Sequence, residues 1–182
     1  YKQFDKFLKN KPRVLFFPNP NQPIESSINL KDMAELAKKC QSKGCILVLD
    51  EAYYLFGSQT GMKILKRYSN IIILRTFSKA YGLAGCRIGC CYSSKKVAPI
   101  LNKVKGPFNT QSISQEMAML ALEDKAYLEE VIDNNQKTKD WFESELKKLN
   151  IESRPSEGNF SFIETTEKKA KEISAHLIND GI

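Results

Sequence analysis

The chain has 182 residues, 42% of them hydrophobic, and 28 basic against 21 acidic side chains give it a net charge of +7. That is enough apolar material for a buried core, and no apolar run reaches the roughly 20 residues of a membrane-spanning helix. Five cysteines without paired C-x-x-C spacing and a single histidine, His176, in a helical pattern argue against a zinc site, a disulfide framework and a Ser-His-Asp hydrolase, so no metal is expected.

Val14 to Phe17 reads as a short strand, followed by Pro18-Asn19-Pro20-Asn21-Gln22-Pro23, where three prolines forbid regular structure. Asn29 is a plausible N-cap for a helix whose apolar positions Leu30, Met33, Ala34, Leu36, Ala37 and Cys40 share one face, with Gly44 as its stop. Ile46 to Leu49 and Ile71 to Leu74 are fully apolar runs, the mark of strands buried on both faces, and Met62 to Arg67 between them suggests a short helix. Ile88 to Tyr92 is a further strand, expected antiparallel because no crossover helix precedes it.

After Ser94, read as an N-cap, the pattern is helical over Val97–Lys105, Ser112–Glu123 and Tyr127–Leu149, with Gly106-Pro107 as an interruption. Ile151–Arg154, Asn159–Ile163 and Glu167–Asn179 then read strand, strand, helix. The fold class expected is therefore α/β, a mostly parallel sheet with flanking helices over residues 1–125, followed by the start of a smaller α+β domain over 126–182. The first residues show neither a signal-peptide core nor an initiator methionine, and the last follow directly on a helix; a cytoplasmic protein, present as a fragment, is the expectation. Lys137, Lys139, Lys147 and Lys148 are interleaved with Glu143 and Glu145, which is a solvated face rather than a nucleic-acid stripe. Neither nucleic acid nor a membrane is expected as a partner.

In an open α/β sheet, ligands bind beyond the carboxyl ends of the strands. Three such ends carry polar groups here: Asn19 to Gln22, Asp50 with Tyr53, and Thr76 to Lys79, joined by Arg87. Taken singly, each has a plainer role: Asp50 capping a turn, Tyr53 in the core, Arg87 paired with Glu51, Lys79 solvated. Together, Asp50-Glu51-Ala52-Tyr53 and Thr76-Phe77-Ser78-Lys79-Ala80-Tyr81-Gly82-Leu83-Ala84-Gly85-Cys86-Arg87-Ile88-Gly89 resemble the pyridoxal-phosphate aminotransferases of fold type I, the histidinol-phosphate aminotransferases most of all. Pro155-Ser156 and Asn159-Phe160 resemble the start of that family's small domain.

The resemblance implies the cofactor pyridoxal 5'-phosphate, with Lys79 forming a Schiff base to it and later shuttling a proton at the substrate. It implies Asp50 on the pyridinium nitrogen, Tyr53 on the phenolic oxygen, and Thr76, Ser78 and Arg87 on the phosphate. Gly82 and Gly85 would let the segment fold back. The amide at the proline-rich loop falls on Gln22, or on Asn21, because this chain has Asn21-Gln22-Pro23-Ile24-Glu25 where the family has Asn-Asn-Pro-Thr-Gly. Leu55 likewise stands where a glutamate is common in the family. The family's cofactor-stacking aromatic and carboxylate-binding arginine have no counterpart in the chain, Arg154 preceding the small-domain strands rather than following them, so the isolated piece is expected to be a poor enzyme. Substrates implied are histidinol phosphate or a related phosphorylated amine as amino donor and 2-oxoglutarate as acceptor, in a homodimer. The alternatives are a decarboxylase on the same cofactor, such as a threonine-phosphate decarboxylase, and a non-catalytic basic binding module.

Overall fold

The computed structural model describes residues 2–24 and 27–182. Its centre is a four-stranded sheet in the order β1 (Val14–Pro18), β2 (Ile46–Asp50), β3 (Ile71–Thr76), β4 (Gly89–Ser93). β1, β2 and β3 run parallel, with Leu15 beside Leu47 and Leu47 beside Ile71; β4 runs antiparallel to β3, as its short connection requires.

Side chains alternate across the sheet, so Leu47, Leu49, Ile71 and Ile73 share one face. They meet Met33, Leu36, Ala37 and Cys40 of helix α2 (Leu30–Ser42), and all eight are buried. Each leucine, isoleucine or methionine among them contributes about 1.5–3 kcal/mol on leaving water. Asn29 caps α2 by accepting the Asp32 N–H at 2.9 Å, and Gly44 takes the left-handed φ of +67° that ends it. Asn70, just before β3, donates to the carbonyls of Ala37 and Cys45 at 3.1 Å each, fastening helix to sheet. Helix α1 (Lys2–Lys9), for which no expectation was drawn, adds Leu8 and Phe4 to this core.

Two expectations fail here. Residues 62–67 do not form a helix: a single 3-10 turn spans Gly61–Lys63, and the chain then passes through further turns to β3. Ser94 is no side-chain cap, since its hydroxyl donates to the Ser69 carbonyl at 2.9 Å and helix α3 begins only at Ala98 and ends at Val104.

Helices α4 (Ser112–Glu123) and α5 (Lys125–Lys148) follow, α5 started by Asp124, which accepts the Tyr127 N–H at 3.1 Å. The final portion is β5 (Ser153–Arg154) against β6 (Phe162–Ile163), antiparallel and only two residues each, then α6 (Glu167–Asn179). Arg154 lies within the first of these strands and pairs with Glu164. The loop between them returns to the sheet: buried Lys139 of α5 donates to the Ser156 carbonyl, and Phe160 packs on Tyr53. Among the described residues no helix is long and apolar enough to cross a membrane, and no cluster of His, Cys, Asp and Glu could hold a metal ion.

Candidate active site

The parallel register aligns Pro18, Asp50 and Leu74, so the carboxyl ends of β1, β2 and β3 open on one edge. Asn19, fully buried, ties this edge together. Its N–H donates to the Asp50 carbonyl at 2.8 Å, its side-chain amide to the Gln59 carbonyl at 3.2 Å, and its Oδ1 accepts the Ile28 N–H at 2.9 Å. The proline-rich loop is thereby closed on itself and held beside the segment that follows Tyr53. Glu25, which stands in the family's glycine position, lies outside the described residues.

Within the loop the two candidate amides diverge. Asn21 donates to the Ile24 carbonyl at 2.8 Å, a local contact, whereas Gln22 Oε1 accepts the Tyr53 hydroxyl at 2.8 Å. Asp50 Oδ1 accepts the Ala52 N–H at 3.1 Å, fixing the turn that delivers Tyr53. Tyr53 is buried among Phe56, Ala80, Leu128 and Phe160, with the Phe160 ring edge-on at 5.3 Å. The two plainer readings therefore hold as structural facts, and both leave functional atoms over: Asp50 caps its turn with one oxygen, and Tyr53 is core with its hydroxyl at the cleft. Pro18, Pro20, Asn21, Gln22, Asp50, Ala52 and Tyr53 line a cavity of about 190 Å³.

From β3, Thr76 Oγ1 accepts the Ser78 N–H at 3.0 Å, which bends the chain so that exposed Lys79 lies with Nζ 5.1 Å from the Tyr53 ring centroid. Gly82 sits at φ +69°, and its N–H closes a turn to the Lys79 carbonyl at 2.9 Å. Gly85 has no comparable need, since a side chain there would meet open space. Arg87 does not pair with Glu51. It is exposed, adopts φ +48°, and donates through Nη1 to the Ala84 carbonyl at 2.9 Å, so its own turn holds it. Lys79, Asp50, Tyr53 and Gln22 are thus gathered, Thr76 and Ser78 border them, and Arg87 and Asn21 are engaged locally.

The partner of Glu51 is Arg75. Glu51, 1% exposed, accepts Arg75 Nη2 at 3.0 Å, Thr60 Oγ1 at 2.8 Å and the Gly61 N–H at 2.6 Å. The Tyr54 phenol beside them is pushed above its ordinary value, chiefly by burial, with the Arg75 charge pulling the other way. Sequence alone offered one sign of this pair, a charge just past the end of each of two apolar runs, but nothing to join residues 24 positions apart.

Fold and site define an α/β protein with a ligand-type cleft at the carboxyl edge of its sheet. More specifically, the chain belongs to the aminotransferase class I and II family, whose model matches residues 1–182. It is 33% identical over 178 residues, 98% of the chain, to the histidinol-phosphate aminotransferase of Geotalea daltonii, covering 50% of that protein. With the histidinol-phosphate aminotransferase of Thermotoga neapolitana it shares 37% over 164 residues, 90% of the chain and 48% of the relative. A crystal structure of the Sinorhizobium meliloti histidinol-phosphate aminotransferase in complex with pyridoxal-5'-phosphate superposes with a TM-score of 0.87 at 28% identity, over 96% of this chain and 49% of that one. The chain spans about half the length of the curated relatives it matches.

Proposed function

We propose that the whole protein is a pyridoxal-phosphate-dependent aminotransferase that moves an amino group between histidinol phosphate, or a related phosphorylated amino compound, and 2-oxoglutarate or glutamate. In this reading residues 1–125 belong to the cofactor-binding large domain and 126–182 to the small one, in a cytoplasmic homodimer. The observation that carries it is a set of unspent polar atoms at two adjoining strand ends. Lys79 Nζ, Asp50 Oδ2 and Ser78 Oγ make no hydrogen bond among the described residues, while Asp50 Oδ1 and Thr76 Oγ1 are used to shape the turns that present them.

This donor set fits the cofactor: an amine for its carbonyl carbon, a carboxylate for its ring nitrogen, a phenol for its ring oxygen, hydroxyls for its phosphate. Attached through Lys79, the cofactor supplies an electron sink for the pair left at the substrate Cα. Lys79, once released as a neutral amine, takes the Cα proton at Nζ and returns it, acting as base and then acid. Asp50, with Oδ2 available, would stabilise a positive charge on the ring nitrogen. Tyr53, whose hydroxyl donates to Gln22 at 2.8 Å, would turn that proton to the ring oxygen, and the Gln22 amide N–H would be a second donor to the same oxygen. Thr76 and Ser78 offer neutral donors to the phosphate, and Arg87 joins them with a charge-assisted fork on leaving the Ala84 carbonyl.

The test is borohydride reduction of the full-length protein with pyridoxal phosphate, followed by peptide mapping. Label at Lys79 is expected, and label elsewhere refutes the assignment. Amino donors are then assayed for transfer to 2-oxoglutarate. Release of carbon dioxide from a phosphorylated amino acid, without transfer, replaces the aminotransferase reading with a decarboxylase one.

A further inference from the structure

Directly behind the groups assigned to the cofactor lies a buried ion pair for which that chemistry has no use. Glu51 follows Asp50, and Arg75 precedes Thr76. The Glu51 carboxylate takes Arg75 through Nε at 3.2 Å and Nη2 at 3.0 Å, together with Thr60 Oγ1 at 2.8 Å and the Gly61 N–H at 2.6 Å. The rest of the guanidinium is also engaged: Nη1 donates to the Tyr54 hydroxyl at 2.8 Å and Nη2 to Thr60 Oγ1 at 2.8 Å. Its carbon lies 3.7 Å from the Tyr54 ring centroid. Oε2 thus takes both guanidinium nitrogens and the Thr60 hydroxyl, while Oε1 takes the Gly61 N–H.

Stability alone does not account for such a cluster. Taking two charges out of water costs several kcal/mol each, and apolar residues of similar volume often serve a fold as well or better. What the fork adds is geometry. Two guanidinium nitrogens and the Thr60 hydroxyl converge on the one oxygen Oε2, which fixes the Arg75 side chain in direction as well as distance and so resists sliding of one strand along the other as well as their separation. Gly61 shows how closely the cluster is fitted: a Cβ there would stand 2.5 Å from Leu49 Cδ1 and 3.4 Å from Ile73 Cδ1, so only a glycine brings its N–H to Glu51 without moving the core.

Successive residues at a strand end point to opposite sides of the sheet. The fork therefore holds the same two backbone segments whose other side presents Asp50 and Thr76, and Lys79 follows four residues after Arg75. The Glu51 N–H adds a backbone tie to the Leu74 carbonyl at 2.9 Å.

We propose that the Glu51–Arg75 fork, bridged by Thr60, is a positioning device: it sets the distance and register between Asp50 and the Thr76–Lys79 segment, and so the grip on a ligand held between them. The proposal rests on the reading of Asp50 and Lys79 given above. It assigns Arg75 and Glu51 no contact with cofactor or substrate.

In the full-length protein, Arg75→Lys keeps the charge and loses the fork, while Thr60→Val removes the bridging hydroxyl and touches neither charge. Wild type and both variants are titrated with pyridoxal phosphate, the visible absorption of the bound cofactor is followed against pH, and borohydride label is mapped. Thermal unfolding of the cofactor-free protein is measured alongside. Label at Lys79 is expected in all three, with the cofactor Kd raised about ten-fold in Arg75→Lys. About three-fold is expected in Thr60→Val. In both variants the pH midpoint of the absorption change moves. Wild-type Kd and midpoint in both variants, whatever happens to the melting temperature, overturn the positioning role alone. Should Arg75→Lys fail to fold, Thr60→Val decides by the same readings. A wild type unlabelled at Lys79 brings down the functional reading, and the positioning role with it.

Discussion

Asp50 and Glu51 are adjacent carboxylates with opposite surroundings, and the difference decides what each can do. Glu51 is surrounded by four donor atoms and sealed from water, so it has no capacity left for a ligand. Asp50 spends one oxygen on the Ala52 N–H and keeps the other at a cavity wall. Under the proposed function, Asp50→Asn should leave cofactor binding within a few-fold of wild type yet lower transamination by roughly a hundred-fold or more, since it removes the charge proposed to face the ring nitrogen. Parallel absorbance titration and single-turnover assays check this, and unchanged turnover refutes the electron-sink role. Gln22→Ala removes the amide beside the Tyr53 hydroxyl, the second donor to the ring oxygen in the proposed reading, and should weaken cofactor binding about five-fold, near 1 kcal/mol for one hydrogen bond. Asn21→Ala, by contrast, loses only a contact within its own loop and should bind as wild type. That Lys79, Asp50 and Tyr53 share one edge of the sheet was legible because each is polar just past an apolar run. The choice between Gln22 and Asn21 could not, since both are amides in one loop and side-chain direction alone separates them. The plainer pairing of Arg87 with Glu51 fails on side-chain direction too: the left-handed backbone of Arg87 turns its guanidinium back on Ala84, and Arg75 takes the Glu51 carboxylate instead.

At the scale of elements, burial and punctuation carried the information. The runs Ile46–Leu49 and Ile71–Leu74 could only be strands covered on both faces, and the Asn29 and Gly44 signals bracket a helix that ends at Ser42. The stretch 62–67 misled because its spacing is helical while its geometry is set elsewhere. Gly61 must deliver its N–H to Glu51, and Thr60 caps the resulting turn by accepting the Met62 N–H at 3.1 Å. A tertiary hydrogen bond thus overrides a local preference worth only tenths of a kcal/mol per residue. The antiparallel β4 depends on a different glycine. At Gly89 a Cβ would lie 2.7 Å from the Arg75 carbonyl oxygen, on the backbone of the neighbouring strand, which cannot swing aside. Gly89→Ala should therefore cost about 1–3 kcal/mol, read as a lowered denaturation midpoint, and should also weaken cofactor binding because Arg75 and Thr76 move with the strand. Gly85→Ala, facing open space, is the matched control and should change neither.

Over the whole molecule the excess positive charge is dispersed. Lys137 pairs with Asp133, Lys171 with Glu167 and Lys168 with Glu172, each one helical turn apart on an exposed face. Exposed pairs of this kind are screened by salt and set no strong dependence of stability on it. The pH dependence comes instead from groups that are not charged at neutrality. Cys40, fully buried where α2 meets the sheet, has its thiol pushed from 9.0 to about 12 by burial first and by the neighbouring Cys45 second. Tyr54 and Tyr81 are raised above 10.0, again chiefly by burial, and Tyr92 chiefly by its hydrogen bond with Cys90. Below pH 9 the Cys40 thiol is protonated in folded and unfolded chains alike. Between 9 and about 12 the unfolded chain releases that proton and the folded chain keeps it, so the unfolded state binds fewer protons and stability falls as pH rises. The tyrosines add to the same loss above pH 10. Melting temperature should therefore decline from pH 9 upward, and Cys40→Ala should flatten the decline between 9 and 10 while lowering stability at pH 7 by roughly 1 kcal/mol for the lost packing. An alkaline slope of equal steepness in that variant would show that the buried thiol is not the group responsible.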